Sequence, residues 1–148
     1  MEDRYLCKAK RKDNGEWSIG NLIQRSDAED GWEAIIIPVK NSNMLTKHIG
    51  HGYGSLGFEN WYRVDPSTIC QCTGLKDEND NLIWENDIVK TQVGTAKVVW
   101  DKSEWRIEWL KNKLWRKDLY YWAVEDIQRL EVIGNIFDNP ELLESEEK

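Results

Sequence analysis

Apolar and polar residues alternate with a period of two over many short stretches of this chain, and helical spacing is rare. In residues 5–11, Tyr5, Cys7 and Ala9 alternate with Leu6, Lys8 and Lys10, and Trp17, Ile19 and Leu22 follow Asp13-Asn14-Gly15. The pattern predicts an opening β-hairpin, with Asn14-Gly15 supplying the positive φ angles of a tight turn. Residues 32–39 are β-branched and end at Pro38, which lacks a ladder donor and marks an edge position or a strand end. Residues 41–60 hold four glycines, three asparagines and both histidines with no period, which predicts a long surface loop or ordered excursion.

Further strands are expected at residues 61–64, 69–73, 82–84, 88–91, 95–100, 105–110, 114–122 and 131–137. Asn139-Pro140-Glu141 has the order of an N-cap, a first helical residue and a favourable negative charge, so residues 141–148 read as a short acidic helix. The expected fold is mainly β, a meander of short strands or a small barrel with a short C-terminal helix. One domain over residues 1–148 is expected, with room for two sub-lobes, about 1–64 and 65–138, plus the acidic tail.

Charge and composition narrow the partners. The net charge of -7 and pI near 4.9 argue against a surface built throughout to hold nucleic acid. Nine tryptophans against two phenylalanines suit strands, interfaces and stacking surfaces alike, and so do not choose among them. Three cysteines and a start without an apolar segment point to the cytoplasm, in neither case to secretion or a disulfide framework. Uninterrupted apolar runs such as residues 34–37 are far short of the about 20 residues that cross a bilayer, so no membrane role is expected.

Val64-Asp65-Pro66-Ser67-Thr68, followed by Gln71-Cys72-Thr73-Gly74-Leu75-Lys76-Asp77, resembles the central signature of the YopX family. Leu82-Ile83-Trp84-Glu85-Asn86-Asp87-Ile88-Val89 resembles that family's Glu-x-Asp-Ile-Val strand, and residues 131–143 resemble its closing segment. Lys10-Arg11-Lys12-Asp13-Asn14-Gly15-Glu16-Trp17 is similar to its opening hairpin. The resemblance implies a mostly β protein of phage or prophage origin, in a bacterial host cell, with no established activity and no catalytic residues to carry over. Cys72 and Trp84 depart from the usual aromatic choices, and Asp80 and Asn86 stand where glycine is common. These changes are expected to alter turn geometry and packing without changing the fold.

Several constellations invite a chemical reading and fall short. Gly52-Tyr53-Gly54-Ser55-Leu56-Gly57 has the letters of a dinucleotide fingerprint but lacks a buried strand before it and helical spacing after it. Asp77-Glu78-Asn79-Asp80-Asn81 opens like a calcium loop, yet its sixth and twelfth positions are Leu82 and Ile88, which favours a solvated turn. His48, His51, Cys70 and Cys72 offer four zinc-type ligands in an unusual spacing, so buried thiols and loop histidines are expected instead. Asp65, Glu85 and Asp87 are the carboxylates embedded among strands, and Asp87 is expected to order the turn before its own strand. No catalytic, metal or cofactor site is predicted, and the chain does not read as an enzyme.

Two basic stretches remain. Arg4, Lys8, Lys10, Arg11 and Lys12 follow Asp3 without an intervening acid. Arg106, Lys111, Lys113, Arg116 and Lys117 interleave with Trp105, Trp109 and Trp115, which suits a single-strand binding face. Alternation in residues 105–109 instead puts Trp105, Ile107 and Trp109 on one buried face. The sequence is therefore read as a non-enzymatic, self-associating phage accessory protein, a homo-oligomer, with nucleic acid or a host or phage protein as the alternatives for a further partner. The alternative is a small-barrel nucleic-acid binder using Arg106, Lys111, Lys113, Trp115, Arg116 and Lys117.

Overall fold

The computed structural model describes residues 2–25, 33–40, 42–48, 54–111 and 115–144. The chain divides into two compact units, Tyr5–Ile69 and Cys70–Lys148, the second including Met1–Arg4.

In Tyr5–Ile69, strands β1 (Cys7–Lys10), β2 (Trp17–Gln24), β3 (Ala34–Pro38) and β6 (Tyr62–Arg63) form an antiparallel sheet in the order β6-β3-β2-β1. Ala9, Ala34, Ile36 and Val64 make its core, with Leu22 and Ile69 packed against them. The loop between β1 and β2 is longer than the expected tight turn. Arg11 N–H bonds the Glu16 carbonyl at 2.8 Å and Gly15 N–H bonds the Arg11 carbonyl at 2.9 Å, with only Gly15 at positive φ, 75°. Asn14 contributes its side chain instead, accepting from Glu16 N–H at 2.9 Å. Pro38 ends β3, beyond the Ile35 and Ile36 pairs with β6, so its missing N–H costs no ladder bond to that strand.

The region read as a loop contains a second hairpin, β4 (Met44–His48) against β5 (Gly54–Phe58). Glycines and few β-branched residues conceal it in the sequence. Its open end is closed by Glu59 N–H to the Asn43 carbonyl at 2.9 Å and by the Asn43 amide to the Glu59 carboxylate at 3.0 Å.

In the other unit, β7 (Cys70–Lys76) pairs with β8 (Leu82–Trp84), and β9 (Asp87–Thr91), β10 (Gly94–Asp101), β11 (Glu104–Trp109) and β12 (Glu131–Asn135) form an antiparallel sheet in the order β11-β10-β9-β12. This sheet is open, ending at β11 and β12, and no barrel closes among the described residues. Its core comprises Ile83, Val89, Ala96, Val98, Ile107, Trp109, Leu119, Trp122, Ala123 and Leu130. Trp105 packs against that cluster from the same face as Ile107 and Trp109, as the alternation requires. Lys102 and Ser103, at φ 53° and 61°, form the two-residue turn joining β10 to β11 without a glycine.

Two expected elements change. Residues 114–122 do not form a strand in their described part. After one bridge, Asp118 to Arg106, the chain coils into a π-helical turn, Tyr121–Glu125. Leu119, Trp122 and Ala123 are the buried positions there, and their spacing of three and four is helical, not that of a strand. The C-terminal helix is a single 3-10 turn, Pro140–Leu143, and residues 145–148 lie outside the described ones. Asn139 does not cap it. Its side chain accepts from Asn135 N–H at 3.2 Å, while the Asn135 side chain accepts from Phe137 and Asp138 N–H at 2.9 Å. No helix among the described residues is long and apolar enough to cross a membrane.

Candidate functional site

The segment 71–90 is organised around a buried acid. Asp77 is fully buried, and its Oδ1 accepts from Asn79 and Asn81 N–H at 2.9 Å each while its Oδ2 accepts from Val132 N–H at 2.9 Å. One carboxylate thus ties the β7–β8 turn to the start of β12. Arg129 braces the same turn, donating to the carbonyls of Lys76 and Asp77 at 3.0 Å and of Ala123 at 2.6 Å. The expected solvated turn is therefore corrected at its first residue, because backbone N–H groups replace the water that a carboxylate needs. Asp80 and Asn86, the two departures from glycine, have φ of 65° and 70°. Asp and Asn are the side chains that enter this left-handed region most readily.

The other carboxylates are also committed to backbone. Asp87 is buried and accepts from Trp84 N–H at 2.7 Å across the turn before its strand. Glu85 accepts from Gln71 N–H at 3.2 Å. Asp65 is exposed and accepts from the Ser67 hydroxyl at 2.8 Å and Ser67 N–H at 3.0 Å. Those bonds, the hydroxyl first, hold its carboxyl below the ordinary aspartate range, and desolvation opposes them. Cys70 and Cys72 are buried, while His51 lies outside the described residues and His48 is described in its backbone alone. Gly54 and Gly57 belong to β5, which is followed by no helix start, and Gly52 lies outside the described residues.

The basic tryptophan stretch is dispersed by the fold. Arg106 is half-buried and paired with Glu104, and Arg116 makes a two-point bond to Asp118 at 3.0 and 2.9 Å with its guanidinium 4.2 Å from the Tyr121 ring centre. Trp105 and Trp109 face the core. Trp115 and Lys117 are exposed, Lys111 is half-buried, and Lys113 lies outside the described residues.

A different surface stands out on Tyr5–Ile69. Leu22 and Ile36 pair on the core side of β2 and β3, so the neighbouring pair Ile23 and Ile35 points to the opposite face. On that face Ile19 and Ile23 are 40% and 49% exposed, and Ile23, Ile35, Ile37, Gly57, Phe58 and Trp61 line an apolar cleft of about 230 Å³. The sequence carries a signal for it. Residues 34–37 are apolar at both parities, which a strand with one watery face does not need.

The YopX protein family model matches residues 8–144. The chain belongs to the YopX family. A solved structure of similar fold is the crystal structure of protein EF1440 from Enterococcus faecalis, with 22% sequence identity, a TM-score of 0.56, and coverage of 93% of this chain and 96% of that one. At that identity the likeness shows the fold alone. No curated protein matches the chain.

Proposed function

We propose that this YopX-family chain is a non-enzymatic phage or prophage accessory protein, acting in the host cytoplasm, that associates with itself through the outer face of β2 and β3. The observation that carries the reading is the row Ile19, Ile23, Ile35 and Ile37 with its apolar cleft, on the side of the sheet away from the core. In that row Ile19 and Ile23 are the exposed members, Ile35 is half-buried and Ile37 is already covered, so the apolar area that a second copy would bury comes from Ile19, Ile23 and the cleft walls. Charge favours the same surface. Tyr5–Ile69 holds eight basic and eight acidic residues, so the chain's net -7 resides in the rest of it. A face on a unit without net charge adds no net like-charge repulsion of its own when two copies meet through it.

The non-enzymatic reading is supported by where these carboxylates go: Asp77 and Asp87 accept backbone N–H bonds within turns, and Glu85 accepts from Gln71 N–H in β7. The test is light scattering on the whole chain. A dimer or larger species at micromolar concentration is expected, converted to a folded monomer by Ile23→Lys.

A further inference from the structure

We infer that Tyr5–Ile69 carries a binding site for single-stranded nucleic acid, in two clefts that share Tyr62, at residues other than the basic tryptophan stretch 105–117. One cleft, of about 430 Å³, is lined by Lys12, Asp13, Trp61, Tyr62 and Arg63. The second, of about 340 Å³, includes Arg11, Trp17, Lys40 and Tyr62 in its lining. Together the walls carry four basic side chains and one acid, with three large aromatic rings.

Each ingredient has a physical role. Trp61, 45% exposed, presents an indole on which a base stacks whatever its identity. Arg11 lies with its guanidinium carbon 3.7 Å from the Tyr62 ring centre, and Lys8 and Lys10 hold their ammonium groups 4.5 and 5.4 Å from that of Trp17. The local sheet therefore places cations against aromatic faces, the arrangement that receives a phosphate beside a stacked base. Strand register explains the gathering: Lys8 and Lys10 oppose Ile19 and Trp17 across β1 and β2. Counted with Lys8 and Lys10, the cluster holds six basic side chains against four acids, Asp13, Glu16, Glu33 and Asp65, and Arg11 and Lys12 are already paired. Asp13 bonds Arg11 at 2.6 Å, and Glu33 meets Lys12 at 3.5 Å, both at the surface.

Length selects a strand over a single nucleotide. Two clefts that each draw on Tyr62 offer more than one ring and more than one basic group. A duplex is disfavoured, because its bases are already stacked on one another and cannot reach the indoles. The site shares Trp61 and Ile19 with the self-association face, and its charged and other aromatic residues lie outside that face.

The experiment is fluorescence anisotropy of a labelled oligothymidylate about 15 nucleotides long, titrated with the full chain at low salt and repeated as salt rises. Binding is expected with a log–log salt slope of about -2 to -3, from three or four phosphate contacts on a single strand. Lys12→Glu with Lys40→Glu is expected to weaken it at least tenfold and to flatten the slope by about 1.4. Trp61→Ala is expected to weaken it by about fivefold to a hundredfold through lost stacking. Thermal melting of each variant checks the fold, and the Gln versions of Lys12 and Lys40 replace the Glu pair if it melts early. The inference is overturned if the oligonucleotide does not bind at low salt, if the Lys12 and Lys40 variants bind as the wild type does, or if duplex or thymidine monophosphate binds as tightly as the strand.

Discussion

The two units spend their polar and apolar groups differently. In Cys70–Lys148 the acids of the family signature are turned inward, with Asp77 and Asp87 buried and accepting backbone N–H groups, and the tryptophans Trp109 and Trp122 meet edge to face at 5.4 Å inside the core. In Tyr5–Ile69 the core is small, and isoleucines and the Trp17 ring beneath Lys8 and Lys10 lie on the other side of the sheet. A segment can therefore be distinctive of a family because it builds the frame, while exposed apolar and basic groups lie on another sheet.

The sharpest way to break that contrast is to remove the buried acid. Asp77→Ala strips three backbone N–H groups of their acceptor at once, each worth about 1–3 kcal/mol when left buried and unpaired. A loss of about 3 kcal/mol or more in urea unfolding is expected, and a loss under 1 kcal/mol would show that the turn is not the frame. Next in size is Gly20→Ala in the other unit. A Cβ there lands 2.0 Å from the Ile37 carbonyl oxygen, so β2 and β3 must part, at a cost of about 1–3 kcal/mol. The same change should weaken self-association, since it deforms the sheet that presents the isoleucines. A destabilised variant that still associates like the wild type would separate the fold of this sheet from its proposed use.

Smaller effects sharpen the picture of the signature turn. Asp80→Gly relieves a positive φ at an exposed position and is expected to stabilise by about 0.5 kcal/mol, read as a higher urea midpoint with an unchanged slope. The smallest effect is that of pH on Asp65. Its folded-state pKa lies below the unfolded one, so its contribution is complete above the unfolded value near about 4 and is lost as pH falls through the folded value. Asp65 is exposed and screened, so Asp65→Asn should flatten the acid limb of the stability profile only slightly.

Much of this was legible in the residues. Period-two alternation located most strands and placed Trp105, Ile107 and Trp109 on one buried face. The four family-like pieces gave the frame in order. What stayed hidden has particular causes. The hairpin of β4 and β5 carries glycines where a strand usually shows β-branched residues, and its closing bonds come from Ser42, Asn43 and Glu59 side chains. The helical turn after Asp118 looked like a strand because Trp and Tyr favour strands, while only the spacing of Leu119, Trp122 and Ala123 carried the helical signal. Burial of Asp77 depends on Val132, far along the chain, and no local pattern announces such a partner. The basic residues drew attention to 105–117, yet Glu104 and Asp118 sit beside Arg106 and Arg116 and occupy their charge.

The central claim is that the working surface lies on the outer face of β2 and β3. It is tested most directly by multi-angle light scattering of the full chain beside Ile23→Lys, each at the same micromolar concentration. The account predicts a dimer or larger assembly for the natural sequence and a folded monomer of 17.4 kDa for the variant. A natural sequence that is strictly monomeric, or an Ile23→Lys protein that assembles as before, would contradict it.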